Sequence, residues 1–164
     1  MMDIIDLEDY EFQLAILSIL NKRVLSLKDL APILIFLLDW GKSNNLLNRN
    51  SFNKMIGEED YTKLKNGKLT FSEFVVDKMN GILSSDVFKE QVREFVEDYV
   101  EYDGYFTDLT EIYQTNVGDL PTNFDGSINL YQRINESKEN YKENKKNFPE
   151  LVSFMNPQAF KKTQ

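Results

Sequence analysis

Apolar side chains recur at spacings of three and four along most of this chain, the period of helices that bury one face. After Asp6, residues Leu7, Tyr10, Leu14 and Leu17 fall on one stripe, which Ile16 and Leu20 widen. A second helix is expected to start near Ser26 or Pro32. Ser26 and Asp29 can cap its first turn, and proline is tolerated there because its missing N–H would have no intrahelical partner. The body of this helix, Pro32 to Trp40, is apolar nearly all round. It is therefore predicted to be the central buried element, ended by Gly41.

From Ser43 to Gly67 the pattern weakens into short turns, one of them over Glu58 to Lys65. Thr70 with Glu73 three residues later forms a capping box, which opens a helix that Gly81 closes. Ser84 or Ser85 is expected to open the most amphipathic segment. There Phe88, Val92, Phe95, Val96 and Tyr99 face inward while Lys89, Arg93, Glu97 and Glu101 face out. Asp103 to Gln114 predicts a shorter helix, followed by a loop carrying Gly118, Pro121 and Gly126. Ser127 caps a helix reaching about Asn147, whose apolar seam is mostly Tyr131, Ile134 and Tyr141, so it belongs on the outside. A last turn after Pro149 uses Leu151, Phe154 and Met155. No run alternates with period two, and no internal repeat stands out. The pattern thus predicts an all-α fold, one compact domain over residues 1–164 with about six to eight helices around the Pro32–Trp40 helix.

Composition narrows what such a domain can do. Among 164 residues, 41% are hydrophobic and 13% aromatic, enough to fill a core without a staple. Cysteine is absent, which removes disulfides, thiolate metal sites and a cysteine nucleophile. Histidine is absent too, and with it the commonest acid/base group near neutral pH and the commonest transition-metal ligand. The longest apolar run, Ala31 to Leu38, stops at Asp39, short of the roughly 20 residues a membrane span needs. The N-terminus is acidic where a secretory signal would be basic, so a cytoplasmic location is expected. A net charge of −8 and a pI near 4.7 argue against nucleic-acid binding, which needs clustered Lys and Arg.

Short motifs give little chemistry. Gly41-Lys42-Ser43 copies the end of a phosphate-binding loop, but Phe36 stands where the earlier glycine is required. Asn66-Gly67-Lys68-Leu69 with Glu73 copies half of a calcium loop, yet Thr62 and Leu64 would hold its first ligand positions, and leucine cannot coordinate calcium. Asp125-Gly126 lacks a closing glutamate, because Gln132 stands there. No nucleophile–base set can be assembled, so neither catalysis nor a cofactor or metal is expected; a carboxylate-only hydrolase holding Mg²⁺ remains the enzymatic alternative.

The distribution of charge is more informative. Between Glu94 and Gln132 there are nine acids and no Lys or Arg, whereas the remainder of the chain is nearly balanced. Tyrosines and phenylalanines are interleaved with these acids. One reading is a solvated face of two helices and a loop. The other is a surface for a basic protein, where charge steers the encounter and buried aromatics supply the binding energy. On that reading the partner-binding residues are Asp98, Glu101, Tyr102, Asp103, Tyr105, Asp108 and Glu111.

The order of features resembles a family of small helical bacterial proteins of uncharacterised function. The resemblance rests on Phe36, Leu37, Leu38 and Trp40 at the end of the apolar helix, Asn80 to Asp86, the helix running into Tyr99, and the aromatic and acidic stretch Tyr102 to Leu109. It covers about Leu27 to Phe148, with Pro32 and Ile33 standing where that family carries a histidine. Proteins of this kind are often encoded beside polymorphic or contact-dependent toxins as their immunity partners. The resemblance implies stoichiometric inhibition of a cognate toxin domain, such as a basic nuclease, by occlusion of its active site. The alternative is a non-enzymatic adaptor using the same surface.

Overall fold

The computed structural model describes residues 3–143; the turn expected after Pro149, and any continuation of the last helix past residue 143, lie outside the described residues. The fold is mostly helical, with eight helices and one two-stranded sheet among the described residues. In chain order these are β1 (Asp3–Asp6), α1 (Glu11–Asn21), α2 (Ala31–Ser43), α3 (Arg49–Met55), α4 (Glu58–Lys65), α5 (Phe71–Glu73), β2 (Ile82–Ser84), α6 (Glu90–Glu101), α7 (Gly104–Tyr113) and α8 (Ser127–Glu143). Turns of 3-10 type precede α1, α2 and α6, and a π-type turn over Phe74–Lys78 extends α5.

α2 is the central element, buried at every position from Ala31 to Gly41. Its all-round apolar composition requires partners on all sides, and α5, α8, β2 and the turn before it supply them. The helix does not stop at Gly41, as the glycine suggests, but runs on to Ser43. Glycine is needed there for packing: a Cβ would stand 2.7 Å from both Leu47 Cδ2 and Phe88 Cε1. Trp40, next to it, lies over Phe88 and Phe95.

The capping box forms as expected, with Glu73 N–H donating to Thr70 Oγ1 (3.1 Å) and Thr70 N–H to Glu73 Oε1 (2.9 Å). The sheet is a departure from the all-helical pattern. β1 and β2 pair antiparallel, Ile5 opposite Leu83, with an irregularity between Asp3 and Ile5 that lets Ile4 and Ile5 both be buried. Strands of four and three residues are too short, and this one too irregular, to show alternation. Consequently Ser84 and Ser85 do not open the amphipathic helix; Ser85–Val87 makes a 3-10 turn, Phe88 is extended and bridges Leu47, and α6 begins at Glu90. Val92, Phe95, Val96 and Tyr99 face inward as the period requires.

Two further expectations change. In α1 only Leu14 and Leu17 are buried, while Ile16 and Leu20 lie at the surface, so the stripe is narrower than its sequence suggests. In α8 the buried apolar residues are Leu130, Ile134 and Tyr141, and Tyr131 is half-buried. A 17-residue helix anchored by so few apolar groups needs another kind of attachment.

Candidate functional site

That attachment is polar, and it uses the acids of the charged run. Asp98 on α6 accepts a hydrogen bond from Tyr141 of α8 (2.8 Å). Asp108 on α7 accepts at one oxygen from Ser137 (2.7 Å) and Tyr99 (2.5 Å), and its other oxygen lies 3.5 Å from Arg133. Arg133 also pairs with Glu111 at 3.5 Å. Two more ties reach α2: Trp40 Nε1 donates to Asn135 (2.9 Å), and Tyr131 donates to Asp39 (2.5 Å).

Asp39 is the least expected group in the molecule, a carboxylate 1% exposed inside the apolar helix. Tyr61 of α4 donates to one oxygen, and Tyr131 and Lys65 (3.0 Å) meet the other. Burying an unpaired carboxylate is prohibitively costly, so these three donors are the condition for its presence. They also fasten α4 and α8 to α2. Burial, the Asp39 charge and the bond to it push the Tyr61 and Tyr131 hydroxyls well above the usual phenol range, so both stay protonated as donors. Lys65 Nζ also lies 3.9 Å from the centre of the Phe124 ring, a cation–π contact that keeps the ammonium beside the carboxylate.

The seven residues expected to meet a partner are therefore divided. Tyr105 is a core residue, fully buried, with its hydroxyl donating to the Ile33 carbonyl. Asp103 is buried and holds the α6–α7 corner at φ 65°, its carbonyl accepting from Thr107 N–H. Asp108 is buried under α8. Burial raises its carboxyl above the ordinary value, against the lowering effect of the Tyr99 and Ser137 bonds and the Arg133 charge. These three are committed inside the fold and offer a partner no free face. Asp98 and Tyr102 are half-buried, Asp98 tied to Tyr141, and Glu111 is exposed but paired with Arg133. Glu101 is exposed at the end of α6.

The interleaved aromatics follow the same division. Phe95 stacks on Tyr99 at 4.8 Å and tilts against Tyr141, and Tyr99 packs on Tyr105. Of the acids left on the surface, Glu111 lies on α7 and Asp125 in the loop before α8, and the others form a row with Glu90 along one edge of α6. Glu90, Glu94 and Glu101 are exposed and Glu97 half-buried, at spacings of four, three and four, a single row about 16 Å long. Arg93, within that helix, is turned away to the Phe88 carbonyl (2.9 Å). No ion pair among the described residues engages Glu90, Glu97 or Glu101.

Cations gather elsewhere. Lys42, Arg49 and Lys89 line a cleft of about 370 Å³ floored by Phe52, with Lys42 paired to Glu58 at 2.6 Å. A second, more open cleft of about 630 Å³ lies between Lys65, Phe71 and Phe124. Among the described residues no three acids converge as a metal ion would require, and no helix is long and apolar enough to cross a membrane.

The described chain is thus a mostly helical domain built on one buried helix and closed by a polar-tied eighth. Residues 29–124 match a domain of unknown function, DUF7832, and the chain belongs to that family. The match spans α2 to α7 and leaves α1 and α8 outside it. Neither the curated proteins nor the solved structures gave a match.

Proposed function

We propose that this protein acts by binding a basic protein, as an immunity partner that neutralises a cognate toxin domain. The observation that carries the reading is the row of acids along one edge of α6, where Glu90, Glu97 and Glu101 meet no cation among the described residues and Glu94, between them, is held by Tyr141. Like charges four residues apart on a helix destabilise it by about 0.2–0.5 kcal/mol per pair. A basic partner removes that repulsion and draws on the field of a chain with net charge −8 for its encounter rate. The order of sequence features that resembles toxin-associated proteins points to the same class of partner. Glu101 remains from the sequence-based set, Glu97 joins it, and Asp103, Tyr105 and Asp108 leave it. Occlusion of an active site requires at least about 1,200 Å² of buried surface, so the row must be the charged rim of a larger contact.

The test compares the native chain with Glu97→Lys/Glu101→Lys in pull-downs from the source lysate at low and high salt, with growth rescue on co-expression of any captured toxin domain. Recovery of one basic protein, lost at high salt and in the reversed variant, supports the proposal. Equal capture by the reversed variant removes the α6 row from the interface. A captured protein whose toxicity is not relieved favours the adaptor.

A further inference from the structure

We propose that two copies of this chain pair antiparallel through the outer stripe of α1. The helix is apolar on two faces. Leu14 and Leu17 face the core, while Phe12, Ile16, Ile19 and Leu20 lie on the opposite side at 72%, 37%, 76% and 46% exposure, and Val24 beyond the helix end is 93% exposed. Spacings of four, seven and eight from Phe12 put the helical four on one stripe. Nothing in the described fold uses this face, and an apolar patch of roughly 500 Å² on a surface otherwise rich in charge marks an interface. Two such stripes packed together bury roughly 1,000 Å², the lower edge of what a specific contact needs.

Charge selects a second copy as the occupant. Glu8, Asp9 and Glu11 stand at the N-terminal end of the stripe, and Lys22 and Arg23 at the other. A parallel pairing would bring like ends together. An antiparallel one, on a two-fold axis near Ile16, brings the acidic end of each copy onto the basic end of the other. Glu11 and Lys22 are three turns apart and fall on the same edge of the stripe. The axis therefore places Glu11 beside Lys22 of the partner subunit, twice over, as an isologous contact requires. The opposed helix dipoles add to this preference. Arg23 already reaches Asp119 (2.5 Å) and the Gly118 carbonyl (3.2 Å), which fixes the end of the stripe, so Lys22 is the cation free to cross.

Sedimentation equilibrium of the full chain up to about 200 µM reads the pairing directly. The expected result is a monomer–dimer equilibrium that Ile19→Glu weakens at least about tenfold while circular dichroism shows the fold retained. Glu11→Lys and Lys22→Glu should each weaken self-association, and an equal mixture of the two variants should restore a dimer, because both crossed pairs are then opposite in sign. A monomer throughout that range would overturn the proposal and leave the stripe to residues 144–164 of the same chain or to another protein. Ile19→Glu dimerising like the native chain, or a mixture no stronger than its components, would overturn it equally.

Discussion

Tyr131 on α8 places its hydroxyl 2.5 Å from Asp39, a carboxylate buried in the middle of the apolar helix α2 and 92 residues away in sequence. This contact shows how the outermost helix is held. Its few buried apolar residues are supplemented by Tyr131, Arg133, Asn135, Ser137 and Tyr141, which reach α2, α6 and α7 through hydrogen bonds and ion pairs.

Removing one of the donors to Asp39 should be costly, and removing two disproportionately so. Tyr131→Phe and Tyr61→Phe are each expected to destabilise the fold by about 1–3 kcal/mol. The double variant should lose more than the sum, because a buried carboxylate left with Lys65 alone has lost its neutral donors. Urea unfolding of the four proteins of this cycle checks the coupling; strict additivity would mean that water replaces the lost hydroxyls.

The ties along α8 should also show locally. Tyr141→Phe removes the bond to Asp98 and is expected to cost about 1 kcal/mol. Amide hydrogen exchange should quicken in α8 and remain slow in α2, since α8 can open without unfolding the centre.

Two carboxylates should impose opposite pH dependences on stability. The folded Asp108 carboxyl lies above its unfolded value because of burial, so its contribution is complete below that unfolded value and is lost as pH rises through the folded one. The Glu73 carboxyl is lowered by the Thr70 backbone and hydroxyl bonds, so its contribution is present above its unfolded value and lost as pH falls through the folded one. Urea midpoints between about pH 3 and 7 should therefore show that Asp108→Asn abolishes a loss of stability on the way up, and Glu73→Gln a gain.

Gly41→Ala tests the close approach of α2 to Leu47 and Phe88. Its methyl would meet both side chains at 2.7 Å, and overpacking of this kind costs about 1–3 kcal/mol. Thermal unfolding of Gly41→Ala/Leu47→Ala should show less than the sum of the two single losses, because shortening Leu47 opens half of the space the new methyl needs.

Much of the helical framework was legible because it depends on local periodicity. The all-round apolar run of α2, the inward face of α6 and the Thr70–Glu73 cap are each written within a few residues. The sheet was not, because β1 and β2 are too short for alternation and their pairing joins residues about eighty apart. The acids of the charged run were visible as charge, but their roles depend on donors that α8 brings from 29 and 43 residues downstream. Their apparent isolation from cations in sequence is partly undone in space by Arg133, one residue beyond the cation-free stretch. Asp39 carried the best signal of a buried polar centre, a lone carboxylate in a run with no polar face to place it on.

The acids divide into those that fasten the fold, such as Asp98 and Asp108, and those on α6, such as Glu97 and Glu101, that no ion pair among the described residues engages. The most direct test sets Asp108→Asn beside Glu97→Lys/Glu101→Lys and measures, for each, the unfolding free energy and the affinity for a captured basic partner. Asp108→Asn is expected to alter stability and leave affinity nearly unchanged, whereas the double reversal is expected to retain the fold and weaken binding at least about tenfold, most at low salt. Unaltered affinity in the double reversal, or a loss of affinity in Asp108→Asn with the fold intact, would contradict this division.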